Sequence, residues 1–158
     1  MHSSPSRAFI GSYTIGTASK GIYTMLLDDD GTTNSIALAA EQKNPSFLCS
    51  VPSTRTLYAV EESYGTTGEE GSVWAYQIGT AGALKARTRV GSRGVGPCTL
   101  SVDHRQTTLF TANFHSGSLI SIRLKSNGDL DGVVSVIQLH GSSVHPQRQR
   151  SSHPHAIV

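Results

Sequence analysis

The sequence has little charge of either sign, few aromatic residues and only two cysteines. Charged residues make up 15% of the 158 residues, and 13 basic against 11 acidic side chains leave a formal net charge of +2. This near balance gives no broad basic surface of the kind that attracts nucleic acid, so we expect no nucleic-acid partner. Cys49 and Cys98 are not spaced as a C-x-x-C motif. The apolar neighbours of Cys49 predict a buried, unreactive thiol.

Long hydrophobic runs are also missing from the sequence. No stretch approaches the about 20 apolar residues that a membrane-spanning helix needs. Residues 1–10 lack the apolar region of a signal peptide. These features predict a cytoplasmic location and no membrane partner.

What the sequence does have is abundant glycine and an internal repeat. The 16 glycines indicate many turns. NPSFLCSVPSTRTLYAVEE (Asn44–Glu62) and GPCTLSVDHRQTTLFTANF (Gly96–Phe114) share a proline, an alternating apolar stretch, a turn and a second apolar stretch. GSVWAYQI (Gly71–Ile78) likewise matches GSLISIRL (Gly117–Leu124), and GIYTML (Gly21–Leu26) is a weaker copy.

The alternation within each copy, with Gly or Asp at the turns, predicts four short antiparallel strands per repeat. A four-stranded unit that recurs every ~40–50 residues is typical of a β-propeller blade, although strands also recur in a β-sandwich. We therefore expect an all-β fold, an incomplete β-propeller built from blades of four antiparallel strands. The blades are expected at 1–43 (without an obvious inner strand), 44–95 and 96–141, with a top-face loop and the start of a fourth blade at 142–158. From the central channel outward, the strands are expected at 45–51, 55–61, 71–78 and 84–91, and again at 97–102, 107–113, 117–124 and 133–139.

The long connections of this arrangement collect on one face, which we call the top face. Because neighbouring strands are antiparallel, the loops at 62–70 and 140–152 emerge on the same side of the blades. Long loops gathered on one face usually mark the functional side of a protein. The candidate site residues on this face are Glu61, Asn113, His115, Arg148, His153 and His155.

With these motifs in view, the chain resembles the lactonase family of seven-bladed β-propellers. That family includes 6-phosphogluconolactonases and 3-carboxy-cis,cis-muconate lactonising enzymes (cycloisomerases). The resemblance rests on FIGSYT (Phe9–Thr14), LYAVEE (Leu57–Glu62), GPCTLSVDHRQTTLFTANFHSGSLISIRL (Gly96–Leu124) and RQRSSHPHAIV (Arg148–Val158). It implies that the chain carries about three of seven blades. We therefore expect a fragment that is inactive as given and needs C-terminal blades to close the ring.

The resemblance implies a small-molecule substrate and no cofactor or metal. The function that it implies first is metal-independent hydrolysis of a sugar lactone of the 6-phosphogluconolactone type. A carboxymuconate cycloisomerase and a non-catalytic propeller scaffold remain the alternatives. Pro154-His155 matches a Pro-His motif of the family, which makes His155 the candidate acid or base and Arg148 the candidate anion clamp. Histidine exchanges protons near neutral pH, and arginine binds carboxylate or phosphate in a bidentate manner.

The other candidates each have a structural interpretation beside the functional one. His153 points to the same side of an extended segment as His155, but two histidines without a third ligand do not predict a zinc site. Glu61 and Asn113 are expected at equivalent strand ends, where each could bind a substrate or cap its loop. His115 could line the same site or lie on the surface as a solvated side chain.

Overall fold

The computed structural model describes residues 6–64 and 68–158, in which the regular structure is β-strand apart from two short 3-10 turns. Parts of two predicted segments, the start of the first blade at 1–5 and residues 65–67 of the loop at 62–70, lie outside the described residues. The strands are β1 (Ser6–Ile10), β2 (Gly21–Leu27), β3 (Thr33–Glu41), β4 (Leu48–Val51), β5 (Thr56–Glu61), β6 (Ser72–Ile78), β7 (Leu84–Gly91), β8 (Pro97–Val102), β9 (Thr108–Asn113), β10 (Ser118–Leu124) and β11 (Leu130–Gln138).

The strands described by the structure form three antiparallel sheets in chain order. The sheets are β1-β2-β3, β4-β5-β6-β7 and β8-β9-β10-β11, and each strand pairs with its neighbours in sequence. This arrangement confirms the predicted all-β fold of successive antiparallel sheets, and two of the sheets have the four strands expected of a blade. Within the described residues the first sheet has no strand equivalent to β4 or β8.

Two predicted strand starts differ from the structure by three residues, one predicted strand is missing, and the other predicted limits agree to within one residue. β4 begins at Leu48 rather than at residue 45, because Asn44 has a φ of 42° and the Ser46 N–H donates to the Asn44 carbonyl oxygen in a local turn instead of to a neighbouring strand. β11 begins at Leu130 rather than at residue 133, and β-bulges in its pairing with β10 accommodate the extra residues. The final segment, predicted to start another inner strand, forms no strand, since no partner strand lies beside it among the described residues.

The apolar core lies in the two seams between adjacent sheets. Alternate side chains of β5 face opposite seams, as the two-residue period of a strand requires. Tyr58 and Val60 pack against Leu109, Ile120 and other apolar residues of the third sheet. Leu57 and Ala59 pack against Ile22 of the first sheet. The middle sheet is therefore covered on both faces and fixes the positions of its two neighbours.

Polar contacts also join the second and third sheets, at the face opposite the top face. Arg87 Nε lies 2.9 Å from Asp129 Oδ1, with both side chains less than one-fifth exposed (18% and 19%). The Tyr58 hydroxyl donates to the Gly128 carbonyl at 2.7 Å. A Cβ added to Gly128, whose φ is +85°, would lie 2.4 Å from Thr56 Oγ1, so only glycine fits this turn. We call these contacts the seam latch.

Candidate active site

The top face carries two cavities that share one wall. We call the first the mouth cavity; it has a volume of about 300 Å³ and lies where the inner strands of the second and third sheets begin. It is lined by Tyr13, Ser46, Phe47, Glu62, Cys98, Phe114, His115 and His155. We call the second the side cleft; it has a volume of about 740 Å³ and is lined by Phe114 and by residues 141–145, 148–149 and 151–153.

Phe114 is the shared wall, and three histidines gather around its ring. His153 stacks on it with a centroid distance of 4.7 Å. His115 and His155 approach it edge-on at 5.1 Å and 5.5 Å. Phe114 follows the last residue of β9 directly, so the end of a buried strand sets the position of the whole cluster. Sequence reasoning selected the three histidines but not the aromatic ring that brings them together.

His153 is oriented by a hydrogen bond to the backbone. Its Nδ1 lies 2.9 Å from the carbonyl oxygen of Phe114. Because a carbonyl oxygen can only accept, Nδ1 carries the hydrogen, and Nε2 of the neutral ring is the unprotonated nitrogen. The stacked ring and this bond together hold His153 in one orientation at the edge of the side cleft.

Cys98 lies in the mouth cavity against the segment that carries His155. Its Sγ is 3.7 Å from the Pro154 carbonyl oxygen and 3.8 Å from that of His155. Burial, with a further contribution from the charge of Glu62, raises the pKa of the Cys98 thiol to about 11. The thiol therefore stays protonated at neutral pH and acts as a weak donor rather than a nucleophile. Cys49 is half-buried rather than fully buried, and burial raises the pKa of its thiol as well.

Glu62 is the carboxylate of the mouth cavity. The Tyr13 hydroxyl donates to Glu62 Oε2 at 3.0 Å, and the Ser46 hydroxyl donates to the same oxygen. Burial, followed by the hydrogen bond to Glu62, raises the pKa of Tyr13 to about 12, so the phenol remains a neutral donor. Sequence reasoning missed Glu62. The one local signal is its place immediately after a strand end on the top face.

A buried asparagine fixes Glu62 and Tyr13 relative to each other. Asn44 is 0% exposed, and its Nδ2 donates to the Glu62 carbonyl oxygen at 3.1 Å. Its Oδ1 accepts from the backbone N–H groups of Thr14 and Ile15 at 3.0 and 3.3 Å. One side chain thus ties the loop that follows β1 to the loop that follows β5.

Glu61 and Asn113 end β5 and β9 at equivalent positions, as predicted, but neither lines the mouth cavity or the side cleft. Asn113 is 0% exposed, and its Nδ2 donates to the Ser92 carbonyl oxygen at 2.8 Å and to Ser118 Oγ at 3.1 Å. These bonds support a structural role, but they link the end of β9 to the segment after β7 and to β10 rather than to the backbone of its own loop.

Glu61 accepts three hydrogen bonds within its own sheet, an arrangement that we call the Glu61 clamp. The donors are Ser72 Oγ at 2.8 Å, Trp74 Nε1 at 2.8 Å and Arg89 Nη2 at 3.2 Å. Burial disfavours the charged carboxylate, but these donors and the charge of Arg89 outweigh it, so the pKa of Glu61 is lowered. Glu61 thereby ties together three strands of the second sheet.

Arg148 lines the side cleft with His153 rather than the mouth cavity with His155. It is exposed, and its backbone N–H donates to His145 Nδ1 at 3.0 Å. The structure therefore places the two residues predicted to catalyse in neighbouring cavities that share Phe114.

Within residues 6–64 and 68–158, no group of three or more His, Cys, Asp or Glu side chains is arranged to hold a metal ion. The helical segments of the same residues are too short to cross a membrane. The cytoplasmic location stays a prediction.

Comparison with known proteins matches residues 7–158 to a family described as lactonase, 7-bladed beta-propeller. A curated relative named 6-phosphogluconolactonase, from Bacillus subtilis, is 34% identical over 149 residues, which are 93% of this chain and 41% of the relative. The solved structure of a periplasmic gluconolactonase from Pseudomonas aeruginosa has a TM-score of 0.83 and 31% identity, covering 94% of this chain and 42% of that one. A solved protein from Bacteroides fragilis has a TM-score of 0.85 and 27% identity, covering 94% of this chain and 40% of that one. The chain thus spans about 41% of the length of the Bacillus relative.

Proposed function

The chain belongs to the lactonase family of seven-bladed β-propellers, and we propose that it forms the first three blades of an enzyme that hydrolyses a phosphorylated sugar lactone. The observation that carries the proposal is the mouth cavity, where His155 and His115 lie with the carboxylate of Glu62. The names of two relatives, 6-phosphogluconolactonase and gluconolactonase, support the substrate class.

In the proposed reaction, His155 is the acid and base. Its imidazole takes a proton from a water molecule as the water oxygen attacks the lactone carbonyl carbon. The tetrahedral intermediate then collapses, the ring C–O bond breaks, and the imidazolium returns the proton to the departing ring oxygen. Water is consumed and an open-chain hydroxy acid is released, with no redox change.

The two cavities suggest how a phosphorylated ring is placed. A volume of about 300 Å³ is at the lower end of the range for small-molecule sites, which suits a single sugar ring. A phosphate attached to that ring would extend past Phe114 into the side cleft, where Arg148 supplies a positive charge. An arginine guanidinium is suited to binding the oxygens of a phosphate in pairs.

The rest of the site belongs, in this proposal, to blades outside this chain. The side chains that line the mouth cavity in this chain all come from one arc of the ring. The oxyanion of the tetrahedral intermediate also needs hydrogen-bond donors directed at it. The further blades would close the ring and complete the wall opposite His155.

The test is turnover of 6-phosphogluconolactone by the full-length protein and by its His155→Ala variant. We expect kcat to fall about 100- to 10,000-fold, as for loss of a general base, with an unchanged melting temperature. His104→Ala is the matched control, because His104 is exposed in the turn between β8 and β9, at the opposite end of the blades.

Three outcomes would contradict the proposal. Full activity in His155→Ala would show that His155 is not the base. Loss of activity in His153→Ala alone would show that His153 has this role instead. Conversion of a carboxymuconate, with no lactone hydrolysis, would show that the proposed reaction is wrong.

A further inference from the structure

The mouth cavity contains a negatively charged group that the proposed acid–base chemistry does not use. Glu62 takes no part in the proton transfers assigned to His155, yet its carboxylate lies in the same cavity of about 300 Å³. A carboxylate next to a reacting lactone disfavours the developing oxyanion if it faces that oxygen. Glu62 must therefore face another part of the substrate.

The local hydrogen bonds leave one oxygen of Glu62 able to accept a hydrogen bond from a ligand. Among the described residues, Tyr13 and Ser46 both donate to Oε2. This leaves Oε1 as the acceptor for an incoming hydroxyl group, since an ionised carboxylate can accept about four hydrogen bonds.

The position of this carboxylate is set before any ligand binds. Asn44 is fully buried and makes two hydrogen bonds to the Glu62 backbone. The Glu62 N–H donates to the Asn44 carbonyl oxygen at 3.1 Å, and Asn44 Nδ2 donates to the Glu62 carbonyl oxygen at 3.1 Å. The same Asn44 side chain binds the loop that carries Tyr13. A group held in this way loses little freedom on binding, which favours affinity and selectivity.

We propose that Glu62, positioned by Tyr13 and Ser46, binds a ring hydroxyl group of the lactone and selects hydroxylated, uncharged rings over carboxylated substrates. This inference rests on the proposed function. The carboxylate accepts a hydrogen bond from a hydroxyl group and repels a second carboxylate at the same position. The phosphate is kept away from Glu62 because the positive charge of Arg148 lies in the other cavity.

The experiment compares kcat/KM for two kinds of substrate in the full-length protein. The substrates are 6-phosphogluconolactone and an analogue in which a ring hydroxyl is replaced by hydrogen, tested at each ring position. For the position that meets Glu62, we expect Glu62→Gln to lower kcat/KM about 10- to 100-fold on the hydroxylated lactone, the size of a hydrogen bond to a charged group. The same variant should change turnover of the matching deoxy analogue less than about threefold, since that analogue makes no such bond.

Two further variants make the comparison specific. Tyr13→Phe keeps the ring but removes the donor to Oε2, so it should reduce selectivity in the same direction by a smaller factor. Glu41→Gln carries the same chemical change at a side chain that is 72% exposed, and it should leave both substrates unaffected.

The outcomes separate this inference from the proposed function. Wild-type protein that hydrolyses no lactone would contradict the proposed function and, with it, the inference. Wild-type turnover together with an equal loss on both substrates in Glu62→Gln, or with no loss at any ring position, would overturn the inference alone.

Discussion

The seam latch and the mouth cavity lie at opposite ends of the same two sheets, and they use polar side chains in opposite ways. In the seam latch, Arg87 and Asp129 are paired with each other and largely withdrawn from solvent. In the mouth cavity, Glu62 and His155 line open space. The end with its charges paired holds the blades together, and the end with accessible groups is where a ligand can bind.

The same contrast appears between two adjacent residues, Glu61 and Glu62. Successive side chains at a strand end point to opposite sides. Glu61 consequently meets Trp74 and Arg89 in its own sheet, whereas Glu62 meets Tyr13 from the first blade. Because the number of donors differs, the first carboxylate stabilises a sheet and the second remains available.

The largest expected effect is on the seam latch. In Asp129→Ala the Arg87 guanidinium loses its partner while remaining mostly buried, and we expect the free energy of unfolding to fall by about 2–4 kcal/mol. Urea unfolding measures this loss, and lactone turnover by the folded variant should be unchanged.

A control lies two residues further along the chain. Asp131 forms an exposed ion pair with Lys125, with side chains 39% and 54% exposed. Asp131→Ala should therefore cost less than about 1 kcal/mol. Equal losses in the two variants would show that the Arg87–Asp129 pair has no special role in the seam.

A smaller, pH-dependent effect is expected for the Glu61 clamp. The pKa of Glu61 is lowered in the folded protein, so the unfolded chain binds more protons in acid. Its contribution to stability is therefore complete above the unfolded pKa of about 4.3 and disappears as the pH falls through the folded value.

Glu61→Gln should reduce the free energy of unfolding by about 1–2 kcal/mol at pH 7, the size of a hydrogen bond to a charged group. The difference from wild type should shrink towards zero as the pH falls below about 4. Unfolding curves recorded across this range provide the measurement. A difference that stays constant with pH would contradict the charged clamp.

An effect on stability no larger than that of Glu61→Gln, together with a clear effect on activity, is expected at Gly117. Its φ is +65°, and an added Cβ would lie 2.6 Å from the Ser152 carbonyl oxygen, directly before His153. Gly31 has a similar φ of +83° but open space around the Cβ position, at the opposite face.

Gly117→Ala and Gly31→Ala should each lose about 1–2 kcal/mol of stability through the left-handed backbone. Lactone turnover should fall about 10-fold or more in Gly117→Ala only, because the histidine segment is displaced. Equal turnover in the two variants would show that this segment has no part in the site.

The strands and their order could be predicted because they depend on local alternation. The repeat between Gly71–Ile78 and Gly117–Leu124 identified two equivalent strands, and the structure places β6 and β10 there. The early start predicted for β4 was wrong because alternation continues through a segment in which the Ser46 N–H bonds back to the Asn44 carbonyl oxygen instead of joining a ladder.

The candidate site was predicted less completely, because its contacts cross between blades. Tyr13 and Glu62 are 49 residues apart in the chain, and His153 and Phe114 are 39 apart. No local pattern specifies such pairs. The equivalent positions of Glu61 and Asn113 were visible in the repeat, but the direction of their side chains depends on which neighbours offer hydrogen bonds.

The most direct test of the proposed lactone site is a crystal structure of the full-length protein with 6-phosphogluconate, the hydrolysis product of the proposed substrate. We predict that the product occupies the mouth cavity, with a hydroxyl group within hydrogen-bonding distance of Glu62, its carboxylate beside His155 and its phosphate towards Arg148. Product bound instead in the groove between residues 49–52 and 100–106, at the other end of the inner strands, with the mouth cavity empty, would contradict the account.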